Sequence, residues 1–132
     1  MGDAQEKSQS APAARQVLVV DDNRDGAQTL AMLLRYAGHE VKVAFNGPQA
    51  LQIAQEQIPS VIILDLAMPG MDGFQVVRAL RERPETKDAL IIAVSGYGNL
   101  DDRERCLSAG FNQHLLKPVK KEQVLEIIRT MP

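Results

Sequence analysis

The feature that most constrains this chain is a short apolar run, rich in β-branched residues, that keeps returning. Val17-Leu18-Val19-Val20 is followed by Val61-Ile62-Ile63-Leu64, by Leu90-Ile91-Ile92-Ala93-Val94 and, more weakly, by His114-Leu115-Leu116. Runs without polar alternation suit strands buried on both faces. Glu40 to Phe45 alternates instead, as expected of an edge strand wetted on one side.

Helical patterns fill the gaps. Ala27, Leu30, Ala31 and Leu34 recur at helical spacing, and Gly38 is placed to end that helix. Asn46 with Gln49 resembles a capping box, opening a helix with Ala50, Leu51, Ala54 and Ile58 inward before Pro59. Asp72 with Gln75 repeats the device ahead of Phe74, Val77 and Leu80, and Pro84 bars continuation. Asn99 and Asp102 suggest a fourth start, with Leu107 inward and Gly110 at the end. Val124, Leu125, Ile127 and Ile128 mark the last helix. Five strands alternating with five helices predict an α/β sandwich around a parallel sheet. Right-handed crossovers then favour the flavodoxin-like (βα)5 arrangement, strand order 2-1-3-4-5.

At 132 residues there is room for one ordinary domain. Residues 1–16 are polar and rich in Ala, Ser, Gln and Pro, and read as a flexible tail or linker; residues 17–132 read as the domain. A net charge of -2 argues against a nucleic-acid or anionic-membrane binder working by bulk charge. No stretch nears the roughly 18 apolar residues of a membrane span. A single cysteine fits a reducing cytoplasm and excludes an internal disulfide.

In open α/β sheets, ligands gather at the carboxyl ends of the strands. Asp21 and Asp22 follow the first strand, Asp65 ends the third, Ser95 the fourth and Lys117 the fifth. Taken alone, the acidic pair reads as a helix N-cap, Ser95 before Gly96 as turn chemistry, and Asp65 and Lys117 as weakly informative. Together they put three carboxylates, a hydroxyl and an ammonium in one crevice. Two unit charges at 4 Å repel by roughly 4 kcal/mol at an effective dielectric near 20, so a carboxyl must be protonated or a cation must bind. An all-oxygen donor set with few protein ligands is what Mg²⁺ accepts. Such a site suits phosphoryl transfer, with a carboxylate as the nucleophile.

VLVVDDN, VIILDLAMPGMDG, IIAVSGYG and HLLKPV, in this order, resemble a response-regulator receiver domain of two-component signalling, from Val17 to about Thr130. The resemblance implies that Asp65 accepts phosphate from a phosphohistidine on a histidine kinase or a histidine phosphotransfer protein. It implies Mg²⁺ held by Asp22, Asp65 and the backbone carbonyl of Ala67, with Asp21 acting through a metal-bound water. Ser95 and Lys117 would contact the phosphoryl oxygens, the Lys117-Pro118 bond would be cis, and the fourth-helix, fifth-strand, fifth-helix face would switch. Dimers of such domains often depend on phosphorylation. Neither direct nucleic-acid binding nor membrane insertion is expected, and the chain carries no effector after its fifth helix.

Two departures from the family pattern involve three positions. His114 stands where an aromatic switch residue is usual, and its plain reading is a partly exposed surface residue. Ala67 and Tyr97 lie two beyond Asp65 and Ser95, positions that modulate phosphate lifetime, and Tyr97 would shield the phosphoryl group. Cys106 reads as a packing residue, Met68 and Met71 as loop packing, and Arg78, Arg81 and Arg83 as a solvated face. The tail, with GYG and AGFNQHLLKPV, resembles receivers of hybrid histidine kinases; a stand-alone regulator is the alternative. A haloacid-dehalogenase-type phosphatase would need an aspartate where Ala67 stands. Flavodoxin would need a phosphate-cradling loop and flanking aromatics where DDNRDG stands.

Overall fold

The structure, a computed structural model, describes residues 14–96 and 100–131. In chain order the elements are β1 (Gln16–Val20), α1 (Arg24–Tyr36), β2 (Glu40–Ala44), α2 (Gly47–Glu56) and β3 (Val61–Asp65). Then follow α3 (Gly73–Glu82), β4 (Leu90–Ser95), α4 (Leu100–Ala109), β5 (Gln113–Leu116) and α5 (Lys121–Arg129). The strands form one sheet in the order β2-β1-β3-β4-β5, and every pairing is parallel. This is the flavodoxin-like arrangement expected from the alternation.

The apolar runs explain why the central strands sit where they do. Alternate residues of a strand face opposite sides, so a run with no polar break needs a core on each side. Leu18, Val20, Ile62, Leu64, Ile91 and Ala93 pack with Ala50 and Ala54 of α2, Val76, Val77 and Leu80 of α3, and Cys106 of α4. Val17, Val19, Val61, Ile63, Ile92 and Val94 pack with Ala27, Ala31 and Leu34 of α1 and with Val124 and Ile128 of α5. Burying one such side chain stabilises the fold by about 1.5–3 kcal/mol.

At α2 and α3 the helix starts follow the caps read in the sequence, with one variation. At α3 the box is reciprocal: Asp72 Oδ1 accepts from the Gln75 N–H at 3.0 Å, and Gln75 Oε1 accepts from the Asp72 N–H at 2.9 Å. At α2, Asn46 Oδ1 accepts from the Gln49 N–H at 2.8 Å, but Gln49 reaches back to the Phe45 N–H, also at 2.8 Å. Asn99 and Tyr97 lie outside the described residues, as does most of the tail. β1 begins at Gln16, which pairs with Glu40.

Three expectations are corrected. Ile58 is 51% exposed because α2 stops at Glu56, two residues before the helical period would have turned it inward. Leu107 is half exposed, and its neighbour Cys106, fully buried, carries the inward face of α4. Arg81 and Arg83 are not a solvated face. Arg81 donates to the carbonyls of Gly110 (2.9 Å), Lys87 (2.9 Å) and Ala89 (2.6 Å) and to Asn112 Oδ1 (2.8 Å), tying α3 to the β4 and β5 entrances. Arg83 donates to the Leu51 carbonyl at 3.0 Å. Met68 and Cys106 are buried packing residues, as read.

Candidate functional site

The sheet order makes neighbours of residues far apart in sequence. β1 lies beside β3, β3 beside β4, and β4 beside β5, so Asp21 and Asp22, Asp65, Ser95 and Lys117 meet at one rim. Neither acidic residue after β1 caps α1. That role falls to Asn23, whose Oδ1 accepts from the Gly26 N–H at 3.0 Å. Asp21 is anchored instead: its N–H donates to the Ala44 carbonyl, and its Oδ1 accepts from the Asn23 N–H at 2.9 Å. Its other oxygen faces the crevice.

Asp65 is the buried member, only 2% exposed. Its Oδ1 accepts from the Ala67 N–H at 3.2 Å. Its Oδ2 meets Lys117 Nζ at 3.2 Å, yet is sealed from solvent without a well-directed hydrogen bond. Lys117 Nζ also lies 3.6 Å from Asp21 Oδ2. Burial, and then the charge of Asp21, push the Asp65 carboxyl up to about 6, although Lys117 and the Ala67 N–H oppose the shift. On Lys117, burial pulls downward, but Asp65 and Asp21 outweigh it and hold the ammonium above its ordinary value. The lysine is fixed from behind by its own N–H, which donates to the Ser95 carbonyl at 2.8 Å, and the Lys117-Pro118 bond is cis.

One carboxylate oxygen from each of Asp21, Asp22 and Asp65 falls within 4.8 Å of the others. Asp22 is exposed, Asp21 half-buried and Asp65 buried, so the cluster opens to water on one side. Hard oxygens in that number, on a half-open rim, fit Mg²⁺, which binds a few carboxylates and keeps several waters. The incompletely hydrogen-bonded Asp65 Oδ2 supports the fit. A groove of about 690 Å³ runs from Asp21, Asp65 and Lys117 along α1 past Leu30 and Leu33 to Pro118 and Val119. Leu30 and Leu33 were read only as helix pattern or not at all; their place at the groove follows from how α1 leans on the sheet.

Ser95 ends β4 and is 6% exposed. Its Oγ lies 2.7 Å from His114 Nε2. His114 is partly exposed, as read, but its ring is also bonded to a residue of the site. The register explains the meeting. Ala93 pairs with His114, and Ser95 stands two residues beyond Ala93 on the same face of the sheet. Ala67 is exposed and offers the site its backbone.

The response regulator receiver domain model matches residues 17–129. The chain belongs to the receiver domain family. Receiver domains are signalling domains of two-component systems, and relatives carry them in different settings. Over 120 residues this receiver is 42% identical to hybrid signal transduction histidine kinase L of Dictyostelium discoideum, covering 86% of this chain but only 7% of that kinase. It superposes on the chemotaxis protein CheY4 of Vibrio cholerae with a TM-score of 0.83 at 33% identity, covering 88% of this chain and 97% of the other. The receiver of sensor histidine kinase PA1611 from Pseudomonas aeruginosa gives a TM-score of 0.78 at 32% identity, covering 88% and 95%. That structure has a magnesium ion coordinated in its active-site cleft. In the present receiver no helix among the described residues is long and apolar enough to cross a membrane.

Proposed function

We propose that this receiver takes a phosphoryl group onto Asp65 from a phosphohistidine of a histidine kinase or histidine phosphotransfer protein. The observation that carries the reading is a buried carboxylate at the end of β3 held by one lysine, with two further carboxylates on the adjoining loop. Asp22, Asp65 and the Ala67 carbonyl would hold Mg²⁺ directly, and Asp21 through water. When bound, the metal offsets the negative charge of the carboxylates and of the incoming phosphoryl oxygens.

Asp65 is anchored on one side by the Ala67 N–H, which fixes the carboxylate for in-line approach. One of its oxygens attacks phosphorus, the P–N bond breaks, and the electron pair returns to the donor imidazole. Lys117, already between Asp65 and Asp21, follows the new negative charge onto a phosphoryl oxygen, and Ser95 donates a hydrogen bond to another. The added group carries about -1.5 to -2 charge, enough to bias a two-state element in the α4-β5-α5 face. Water attack on the acyl phosphate then resets the domain, so the receiver assists its own phosphorylation and dephosphorylation.

The likeness to kinase L and to the PA1611 receiver favours a hybrid histidine kinase as the parent, working on the cytoplasmic side. The near-complete match to CheY4 supports the stand-alone alternative. The decisive experiment is incubation with Mg²⁺ and acetyl phosphate or a phosphorylated kinase, followed by intact mass. A single phosphoryl adduct lost in Asp65→Asn is expected. No adduct with either donor, or one that survives Asp65→Asn, overturns the proposal.

A further inference from the structure

We infer that His39 is an acid-released clasp on the strand by which the chain enters the sheet: its neutral imidazole holds the Arg15 backbone, and its protonated form lets that backbone go. The clasp is independent of the chemistry at Asp65. It lies at the opposite end of the sheet, where β1 and β2 begin.

Arg15 is held by both of its backbone groups. Its carbonyl accepts from the Glu40 N–H at 3.0 Å, where the β1–β2 ladder starts. Its N–H donates to His39 Nδ1 at 3.1 Å, a bond between residues 24 apart in sequence. A ring nitrogen that accepts carries no proton, so the imidazole is neutral with its hydrogen on Nε2. Protonation turns Nδ1 into a donor aimed at another donor, and a flipped ring does no better because both nitrogens then donate. The histidine cannot move off to ease the conflict. Its own N–H donates to the Leu34 carbonyl at 3.2 Å, just after Gly38 turns the chain out of α1 with φ +104°. The Arg15 N–H is therefore the group that gives way.

The surroundings favour the neutral ring yet leave a proton a short way in. His39 is 5% exposed, but it lines two surface grooves, one of about 400 Å³ beside β2 and one of about 310 Å³ against α5. Charged groups face it from each side: Arg15 at the entry to β1, Arg35 from α1, and Glu40 and Lys42 from β2. From α5 come Glu122, Glu126 and Arg129. Two of the carboxylates are already engaged, Glu40 by Gln16 Nε2 at 2.7 Å and Glu126 by Arg129. Burial, and then the Arg15 charge, hold the imidazole below its ordinary value of 6.5. Unfolding therefore takes up a proton between the two values, so the clasp is whole above 6.5 and is lost as pH falls through the lower one. Its opening loosens the first rung of β1 and leaves the inner strands paired.

The test compares the unaltered chain with His39→Gln, which keeps an acceptor but does not titrate, and His39→Phe, which keeps a ring but cannot accept. Imidazole ¹⁵N resonances and amide hydrogen exchange are followed by NMR from about pH 8 to about 4.5, across the range in which a histidine changes charge. Exchange is expressed as protection relative to an unstructured peptide. In the unaltered chain, Arg15 protection should fall about fivefold or more, the worth of one hydrogen bond, in step with the His39 resonances. The Val19 amide, inside β1, should keep its protection throughout. Arg15 protection should not change with pH in His39→Gln and should be low at every pH in His39→Phe. A His39 ring that does not titrate in this range, or that titrates with no change at Arg15, overturns the inference. So does an equal fall at Val19, which would mark general unfolding, and so does a pH-dependent Arg15 in His39→Gln, which would place the proton elsewhere. If His39→Phe does not fold, the unaltered chain and His39→Gln decide the matter between them.

Discussion

Gly73 stands so close to Asp65 that a Cβ on it would lie 2.6 Å from the Asp65 carbonyl oxygen and 2.8 Å from Leu66 Cα. The first turn of α3 thus rests on the backbone of the buried carboxylate. Its N–H also donates to the Leu66 carbonyl at 3.1 Å, closing the β3–α3 loop into a clamp. Gly73→Ala should push that backbone aside, at about 1–3 kcal/mol, the usual cost of overpacking. We expect a melting temperature lower by roughly 5 °C or more, by thermal unfolding followed by circular dichroism. A variant as stable as the unaltered chain would refute the clamp.

Replacing Asp65 with asparagine should have the opposite sign at neutral pH. The carboxyl titrates near 6 in the folded domain against an ordinary value of 3.8, so unfolding releases a proton between those two values. Stability contributed by the protonated carboxyl is complete below about pH 4 and is lost as pH rises through 6. Asp65→Asn escapes this loss and should be more stable above pH 6, by roughly 1–3 kcal/mol, with the gain vanishing by about pH 4. Urea unfolding at pH 4 and 7.5 in the presence of a chelator measures both arms. A gain that does not depend on pH would contradict the assignment.

Lys117→Met should separate metal binding from phosphoryl chemistry. The ammonium lies 3.2 Å from Asp65 and 3.6 Å from Asp21, so it competes with any cation for those carboxylates. Removing it should tighten Mg²⁺ binding by about threefold or more, by the Coulomb argument for a like charge nearby. The same change should nearly abolish uptake from acetyl phosphate. Isothermal titration calorimetry and intact mass give the two readings. Weaker Mg²⁺ binding in the variant would overturn the competition argument.

Arg81 provides a test away from the site. It makes hydrogen bonds to three carbonyls and one side-chain amide through a planar fork that an ammonium cannot copy. Arg81→Lys should therefore lose nearly as much stability as Arg81→Met, about 2–4 kcal/mol, and added salt should change the difference little. Denaturant unfolding of both variants decides it. Full rescue by lysine would show that charge, not the fork, is what matters.

These residues also mark where the sequence was readable and where it was not. The strand order followed from unbroken apolar runs alternating with helical periods, because those runs need two core layers. Asp21, Asp65, Ser95 and Lys117 could be placed together because each falls at a strand end, a position that survives an error of one residue in the element. The Ser95–His114 bond could not be read, since it depends on the register of β4 against β5, and neither strand states that register alone. Arg81 was hidden for a related reason. Three of its partners are backbone carbonyls 6 to 29 residues away, and a carbonyl carries no signature in a sequence. Leu107 failed because α4 is mostly polar, so the inward position at Cys106 was out-voted by a more hydrophobic neighbour.

The three carboxylates offer oxygens within 4.8 Å of one another although they come from two strands paired residue for residue. A strand advances about 3.3 Å per residue, so two residues added inside β3 would keep its faces and its core yet lift Asp65 by roughly 6–7 Å. That displacement exceeds the width of the cluster. The rim tolerates no change in the length of the strands that reach it, whereas at the opposite end of the sheet, where Arg81 ties the connections into β4 and β5, a change in length costs stability and leaves the carboxylates in place. Insertions that cost chemistry and insertions that cost only stability are therefore sorted by end: one end of the sheet is a ruler, the other a fastening.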